Sequence, residues 1–382
     1  MDFSRDMNDD EVYTIIDETL TGFPERRMFD FADRIRLRKE IFNSLRKLDV
    51  IQEYLEDEAV TEIMINGTDG IFVEKNGKVF KSEKKFASPE RLADIVQQIV
   101  AGCNRSVNEA SPIADARLKT GERVNIVLPP ISLNNGPIVT LRRFPDKPIT
   151  MERLIEIGSM SQDAADFIKK LVVAGYNIFI SGGTGSGKTT FLNALSQYIP
   201  SKERIITIED SAELRILDAE NLVRLETRAG NMAESKPISI RDLIRSALRM
   251  RPERIIVGEC RGEEALDMLQ AMNTGHDGSL STGHANSAKD MIARLETMVI
   301  MGADIPIQAI RSQIASGIDI IVHLGRLRDG TRKVLEIAET NGVVSGEVEL
   351  NRLYFFDRGE LKKVGELIHK DKLYRTYGED CV

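Results

Sequence analysis

The stretch from Asn177 to Thr190 constrains the fold of this chain more than any other part of the sequence. Ile178, Phe179 and Ile180 form an apolar run bounded by turn residues, the pattern of a strand buried on both faces. Residues 182–189 then satisfy the spacing G-x-x-x-x-G-K-[ST] of a phosphate-binding loop, or P-loop. Its glycines let successive main-chain N–H groups turn toward a phosphate, and the N-terminus of a following helix adds partial positive charge. The sequence therefore predicts a nucleotide site at a strand-to-helix junction.

The residues predicted to bind the nucleotide are Gly183, Thr184, Gly185, Ser186, Gly187, Lys188, Thr189 and Thr190. Lys188 is expected to reach the β- and γ-phosphates of ATP, and the Thr189 hydroxyl to hold Mg²⁺. The alternative is a glycine-rich loop that matches by chance. It is disfavoured because both flanks fit, with an apolar strand before the loop and helical spacing after it.

Length and composition limit the classes of protein to which this chain can belong. At 382 residues the chain exceeds the usual size of one compact domain, so two or three domains are expected. The net charge of -8 argues against a dedicated nucleic-acid binder, because such binding needs clustered Lys and Arg. Cys103, Cys260 and Cys381 lie far apart without metal-ligand spacing, which predicts a reducing compartment and no structural zinc.

The sequence carries no signal for membrane insertion. The N-terminal twenty residues are acidic and have no apolar core, so they do not read as a secretory signal. No apolar run approaches the roughly eighteen residues that a membrane span needs. We therefore expect a cytoplasmic protein that reaches a membrane only through a partner.

Changes of pattern along the chain predict its domain organisation. A charge-rich helical segment precedes a module of short strands with one helix, which Ser88 caps and Pro89 begins. Strands and helices then alternate as in a doubly wound α/β domain. The predicted bounds are 1–58 for the helical segment, 59–145 for a smaller α+β domain, 146–149 for a proline-containing linker, 150–360 for the P-loop domain and 361–382 for a tail.

Short apolar runs mark the expected strands, and Asn76-Gly77 favours a tight hairpin turn between two of them. The runs are 63–65, 71–73, 79–80, 124–128, 138–141, 178–180, 205–208, 255–257, 318–324 and 348–355. Residues 328–331 read as a turn between strands, which predicts a sheet extension near the C-terminus.

Two predicted strands end in carboxylates. The run 205–208 leads into Glu209 and Asp210, and the run 255–257 leads into Gly258 and Glu259. Ligands of an open α/β sheet bind at these carboxyl ends, so Glu209 and Glu259 are candidates for holding Mg²⁺ with Thr189 and for acting on a water molecule. A generic P-loop ATPase has Asp where Gly258 stands. The alternative for either pair is a solvated acidic strand end.

Two of the four histidines, His276 and His284, fall in the glycine-punctuated segment from Thr274 to Asn286. A lone histidine is more often a structural hydrogen-bonding group. Two beside a candidate nucleotide site predict a sensor of the phosphate or of the subunit state.

These motifs, in this order, resemble the hexameric secretion ATPases of type II secretion, type IV secretion and type IV pilus systems. The chain is most similar to the CpaF-like branch, the motor of tight-adherence (Flp-type) pilus assembly. The similar runs are 117–130, 249–259 and 266–279. The resemblance covers about residues 40–355 and departs at Gly283, where a bulkier apolar residue is commoner.

The resemblance implies a RecA-like P-loop ATPase domain and several residue roles. Glu209 would position or activate water and Glu259 would support Mg²⁺, although the two could exchange duties. His284 would sense the γ-phosphate. Arginines of the N-terminal domain would reach the nucleotide, and Arg123 and Arg142 stand at the matching positions, with Arg143 a close competitor to Arg142.

The resemblance also implies a homo-hexamer that acts on inner-membrane platform proteins, at the inner face of the cell membrane. Pilus assembly, protein secretion and a conjugation-type system stay open at this point. A RecA-like nucleic-acid translocase is the alternative from another class, disfavoured by the absence of Trp and by net acidity. A module that binds nucleotide without hydrolysing it is a second alternative.

Overall fold

The computed structural model describes residues 7–22, 30–75, 77–103, 106–118, 120–143, 148–228 and 236–379. Its contacts divide the chain into two compact units, Met1–Asp146 and Lys147–Val382. Asn76, Cys381 and part of the predicted linker lie outside the described residues.

The first unit begins with a helical pair. Helices α1 and α2 bury Val12, Ile16 and Phe42 against each other, and the Tyr13 ring stacks on Phe42 with centroids 4.1 Å apart. Asp30 caps α2 by accepting a hydrogen bond from the Asp33 amide. The helices of this unit are α1 (Asp9–Gly22), α2 (Phe31–Arg46), α3 (Gln52–Glu56) and α4 (Pro89–Gly102).

Six antiparallel strands form the sheet of the first unit, in the order β3-β2-β1-β6-β5-β4. Alternate residues of the inner strands are buried, so one face of the sheet contributes to a core that the apolar face of α4 completes. As predicted, Ser88 caps α4 and Pro89 begins it. The strands are β1 (Val60–Asn66), β2 (Ile71–Lys75), β3 (Lys78–Lys81), β4 (Ile113–Arg117), β5 (Arg123–Val127) and β6 (Ile138–Arg142).

The second unit contains a nine-stranded sheet, in the order β15-β14-β13-β12-β7-β11-β10-β8-β9. The six strands from β12 to β9 run parallel, and β13, β14 and β15 extend the sheet as an antiparallel hairpin ladder. The strands are β7 (Ile178–Gly182), β8 (Arg204–Glu209), β9 (Asn221–Glu226), β10 (Arg254–Val257), β11 (Leu280–Gly283), β12 (Ile320–Arg326), β13 (Arg332–Val344), β14 (Glu347–Asp357) and β15 (Glu360–Lys363).

Helices cover both faces of this sheet, so its central strands are buried on both sides and read as continuous apolar runs. Ile178 and Ile180 face one core, and Phe179 between them faces the other. The helices are α5 (Met151–Glu156), α6 (Gln162–Val173), α7 (Lys188–Ser196), α8 (Ile240–Ala247), α9 (Glu264–Asn273), α10 (Ala288–Gly302), α11 (Ile307–Gly317) and α12 (Asp371–Tyr377).

The C-terminal segment packs onto the base of the second unit. Leu367 and Leu373 are buried in its core. Lys372 lies 2.8 Å from both Asp319 and Asp277, and the Tyr176 hydroxyl donates to the His369 carbonyl at 2.6 Å. Among the described residues, no helix is both long and apolar enough to cross a bilayer.

Candidate nucleotide site

The P-loop joins the buried strand β7 to helix α7. Gly187 takes the N-cap position with φ of +94°, a left-handed conformation that glycine adopts without strain. Gly182 is constrained by space, since a Cβ there would lie 2.5 Å from the Leu324 carbonyl oxygen. Gly183, Thr184 and Gly185 are exposed between these fixed ends. The loop therefore presents an open main-chain surface above a rigid strand and helix.

Lys188 folds back over its own loop. Its side chain is buried, and Nζ donates to the carbonyl oxygens of Gly182 and Gly183 at 3.0 Å each. Nζ also lies 3.3 Å from His284 Nδ1. Burial is the largest cause of a lowered pKa for Lys188, opposed by the charge of Glu259. The ammonium group is thus held at the loop, where a phosphate would interact with it strongly.

His284, Glu259 and Arg261 form a cluster beside Lys188. His284 Nε2 lies 2.8 Å from Glu259 Oε1, off the line of a well-formed hydrogen bond. Arg261 Nη2 donates to Glu259 Oε2 at 2.5 Å, and its Nη1 lies 3.7 Å from Asp210. Burial and then the charge of Lys188 lower the pKa of His284, which favours a neutral ring. A neutral ring with its proton on Nε2 accepts from Lys188 and donates toward Glu259.

Glu209 is a buried carboxylate with two different oxygen environments. Oε1 accepts from the amides of Glu213 and Leu214 at 2.8 and 2.9 Å, whereas Oε2 is buried without a hydrogen-bond partner. Burial raises the pKa of Glu209 to about 7. A buried carboxylate oxygen without a hydrogen-bond partner is unfavourable, and a bound cation or water molecule would interact with it.

The position of Glu209 also explains why glycine stands at position 258, where a generic P-loop ATPase has aspartate. A Cβ at Gly258 would lie 3.0 Å from Glu209 Cγ, closer than side chains normally approach. The same argument accounts for Gly283, where a Cβ would lie 2.9 Å from Phe179 Cε1 and 3.1 Å from Met291 Cε. The two departures seen in the sequence are thus places where neighbouring side chains occupy the space.

A cleft of about 670 Å³ opens next to the cluster. Its lining includes the P-loop residue Thr184, then His284 and Asn286, and Arg294 and Met301 of α10. Within the described ranges, no group of three His, Cys, Asp or Glu side chains could hold a metal ion by itself. Phosphate oxygens commonly supply part of the ligands of Mg²⁺ at nucleotide sites.

The predicted arginines lie in the first unit, on the face of its sheet opposite the core. Strand register places Arg117, Arg123, Arg142, Glu62 and Glu74 in one row across five strands. Arg123 and Arg142 are direct cross-strand neighbours. Glu62 lies opposite Arg142 and Asp115 lies 4.0 Å from Arg123, so the arginines share this face with carboxylates.

Arg143 points elsewhere. Its Nη1 donates to the Asp57 carbonyl, and its Nε lies 3.8 Å from the buried Glu122 carboxylate. Arg143 therefore ties the β6 end to the start of β1. Arg142 and Arg143, adjacent in the sequence, thus have different contacts.

A protein-family model described as "Type II/IV secretion system protein" matches residues 44–352. This chain belongs to that family. The matched segment spans more than half of the chain and includes the P-loop and both carboxylate strand ends.

Two relatives of this type II/IV secretion system protein match it over most of their lengths. A putative conjugal transfer protein of Mycobacterium tuberculosis (strain ATCC 25618 / H37Rv) is 32% identical over 317 residues, covering 81% of this chain and 89% of that protein. The type IV secretion system protein PtlH of Bordetella pertussis (strain Tohama I) is 32% identical over 321 residues, covering 78% and 95%.

A solved structure establishes the fold. The ATPase DotB of Legionella pneumophila is 22% identical, with a TM-score of 0.54 over 76% of this chain and 79% of that one. The predicted fold class is confirmed: a RecA-like P-loop domain with a smaller N-terminal α+β domain.

Sequence reasoning missed two arginines of this family member's site. Arg261 follows Glu259 by two residues, and its proximity to a strand-end carboxylate was the available signal. Arg332, the first residue of β13, donates from Nε to the Gly185 carbonyl at 2.8 Å. Only the fold brings Arg332 to the P-loop, because 146 residues lie between them in the sequence.

The two histidines predicted as a pair are separated. His284 follows β11 at the P-loop edge of the sheet, whereas His276 precedes β11 at the opposite edge, with Nδ1 3.2 Å from the Ala271 carbonyl. The structure therefore does not bring His276 to the P-loop, because a parallel strand lies between the two residues.

Proposed function

We propose that this chain is a Mg²⁺-dependent ATPase that works as a homo-hexameric motor at the inner face of the cell membrane. Its hydrolysis of ATP would power tight-adherence (Flp-type) pilus assembly or protein secretion, through inner-membrane platform proteins. The observation that carries the ATPase proposal is a chain of contacts beside the exposed P-loop. Each side chain in it contacts the next: Lys188, His284, Glu259 and Arg261.

The P-loop would bind the phosphates of ATP. Residues 183–190 offer main-chain N–H groups and the N-terminus of α7, and these favour an anion. The ammonium of Lys188 has three protons, two of which go to loop carbonyls. The third, now directed toward His284 Nδ1, is available for a phosphate oxygen. Phosphate binding would thus separate Lys188 from His284, which gives His284 its role as a sensor.

Thr189, Glu209 and Glu259 would hold Mg²⁺ directly or through water, and the ion would neutralise charge on the phosphates. Arg261 fixes one oxygen of Glu259 and His284 lies 2.8 Å from the other, so this carboxylate could orient a water molecule for attack. Glu209, with one oxygen fixed and one unpaired, is the alternative for that duty. Arg123 and Arg142 would stabilise charge on the γ-phosphate.

The direct test is phosphate release by the purified full-length chain. Lys188→Ala should abolish turnover, and Glu259→Gln should bind ATP without hydrolysing it. Lys289→Ala, at an exposed ion pair with Glu347, is the matched control and should keep the parental rate. A Glu259→Gln variant as active as the parent would contradict the assignment of Glu259.

The relatives support a secretion-type motor and leave the pathway as a proposal. One is named for conjugal transfer and one for type IV secretion. The CpaF-like branch rests on the similar sequence runs alone. The domain bounds 1–58, 59–145, 146–149, 150–360 and 361–382 are likewise proposed, and limited proteolysis with mass spectrometry would test them.

A conjugation-type motor is the second candidate, because relatives named for conjugal transfer match over most of the chain. A nucleic-acid translocase would differ from a secretion motor in the partner that stimulates its ATPase activity. ATPase activity that rises with single-stranded DNA and falls steeply with salt would favour the translocase. Activity that rises instead with lipid vesicles carrying a platform protein would favour the secretion motor.

A further inference from the structure

Arg332 contacts the P-loop, and the proposed function gives it no role. It is the first residue of β13, and it is exposed. Its Nε donates to the Gly185 carbonyl at 2.8 Å. Its Cδ lies 3.3 Å from the place that a Cβ on Gly187 would occupy. The side chain therefore lies along the loop from Gly185 to Gly187, although it comes from a distant part of the sequence.

The main chain around Arg332 is anchored. The Arg332 carbonyl accepts a hydrogen bond from the buried Ser159 hydroxyl at 2.9 Å. The Val334 amide donates to the Ser159 carbonyl at 2.8 Å, and Lys333 Nζ donates to the Gly158 carbonyl. The guanidinium is thus carried by a fixed strand end, which limits the positions that its terminal nitrogens can reach.

Strand order decides the side from which Arg332 reaches the P-loop. Strand β7 lies between β11 and β12, and β13 is the strand beyond β12. His284 follows β11 and Glu259 follows β10, so both come from the β11 side of β7. Arg332 comes from the β12 side. The P-loop therefore has the carboxylate and histidine cluster on one side and a guanidinium on the other.

The guanidinium has hydrogen-bonding capacity that the protein leaves unused. It carries five N–H donors, of which the one on Nε goes to Gly185. Within the ranges that the structure describes, the Arg332 side chain forms no other hydrogen bond and no ion pair. The N–H groups of Nη1 and Nη2 can therefore bind an anion. Phosphate oxygens suit them, because the planar fork of an arginine matches their geometry.

We propose that Arg332 binds the α- and β-phosphates of the nucleotide, the part that ATP and ADP share. This inference rests on the proposed ATPase function, which directs the γ-phosphate toward His284 and Glu259. With the γ-phosphate on that side of β7, the rest of the phosphate chain extends toward the opposite side of the loop, from which Arg332 reaches it. Arg332 then neutralises charge on substrate and product alike. It contributes to affinity for either nucleotide and not to the hydrolysis step.

Three substitutions at Arg332 separate its two contacts. In Arg332→Gln, the amide nitrogen stands as many bonds from the main chain as Nε does, so the bond to Gly185 is kept and the positive end is lost. Arg332→Met removes both contacts, and Arg332→Lys removes Nε but keeps a positive charge. Titration calorimetry on the full-length chain measures Kd for ADP and for a non-hydrolysable ATP analogue, each with Mg²⁺. The control is Arg328→Gln, which removes the same charge from the exposed turn of the same hairpin.

We expect Arg332→Gln to weaken binding of both nucleotides about tenfold, with the two losses equal within about threefold and kcat within about twofold of the parent. Arg332→Lys should bind both more tightly than Arg332→Met. Since these two variants both lack Nε, their difference reports the charge alone, and it gives the same test should Arg332→Gln be unstable. Arg328→Gln should change either Kd by less than about twofold, because exposed charges are screened.

An Arg332→Gln variant that binds both nucleotides like the parent would overturn the proposal. Weak binding by Arg332→Met alone would then show that the arginine acts only on the loop. A loss confined to the ATP analogue would also overturn it, since the contact would be with the γ-phosphate. Failure of the parent chain to bind either nucleotide would refute the proposed function itself, whereas a binding parent with unaffected variants would refute only the role of Arg332.

Discussion

At the scale of single residues, Glu209 shows how a buried carboxylate is prepared for a ligand. Two amides fix one oxygen, and the other lies buried without a partner. Such a group weakens the folded state unless something binds it. The site therefore stores unfavourable free energy that a cation or a water molecule would release on binding.

The free-energy cost of burying the Glu209 carboxylate depends on pH. Burial raises the pKa of Glu209 from its ordinary value of 4.5 to about 7. Below about pH 4.5 the group is protonated in both the folded and the unfolded chain. As the pH rises toward 7, the unfolded chain releases the proton while the folded chain retains it, so stability falls; above 7 the loss is constant.

Glu209→Gln should therefore stabilise the ligand-free protein more at pH 8 than at pH 4.5. The difference should not exceed about 3.5 kcal/mol, at about 1.4 kcal/mol for each pH unit between the two pKa values. Urea unfolding at both pH values measures it, and Glu213→Gln serves as the neighbouring control. An equal effect of Glu209→Gln at both pH values would show that the carboxyl titrates normally.

Sequence reasoning found the residues that a motif or a strand end marks, such as Lys188, Glu209 and Glu259. It could not find Arg332, because strand order is what places this residue beside the P-loop. β13 and β12 approach β7 only after the sheet has formed. Nor could spacing separate Arg142 from Arg143, since adjacent strand residues differ only in which face they occupy.

At the scale of elements, the best predicted strands were those buried on both faces, such as β7, β8 and β10. The missed strands carry weaker patterns. β4 reads Ile-Ala-Asp-Ala-Arg with few β-branched residues, and β9 lies at a sheet edge with its residues partly exposed. β11 reads Leu-Ser-Thr-Gly and is buried without an apolar run; its Thr282 hydroxyl donates to the Gly258 carbonyl at 2.8 Å.

The packing of β11 makes Gly283 a sensitive position. Gly283→Ala would push a methyl group against the Phe179 ring and the Met291 side chain, and displace the adjacent His284. We expect a loss of about 1–3 kcal/mol in unfolding free energy, together with slower ATP turnover. Gly102→Ala is the matched control, because a Cβ there meets nothing within 4 Å. Urea unfolding and phosphate release measure both effects. A Gly283→Ala variant as stable and active as the parent would mean that the neighbours yield at little cost.

At the scale of the whole molecule, the proposed motor divides its chemistry between two units. The second unit carries the P-loop and the carboxylates, and the first carries a row of three arginines on the open face of its sheet. In the proposed function, the charge of the γ-phosphate would attract these arginines. Arg142 and Arg143 test that idea, since they are adjacent in sequence and differ in their contacts.

Arg142→Ala should lower ATP turnover of the full-length chain on the order of a hundredfold while leaving its melting temperature nearly unchanged. Arg143→Ala should do the reverse. It removes the hydrogen bond to the Asp57 carbonyl and a cation 3.8 Å from the buried Glu122, which costs about 1–3 kcal/mol in stability. Thermal melts and phosphate release on the same preparations separate the two effects. If Arg143→Ala is inactive at full stability while Arg142→Ala turns over normally, then the two arginines have been assigned in the wrong order. If both variants keep the parental rate, the first unit contributes no arginine to hydrolysis, and the chemistry belongs to the second unit alone.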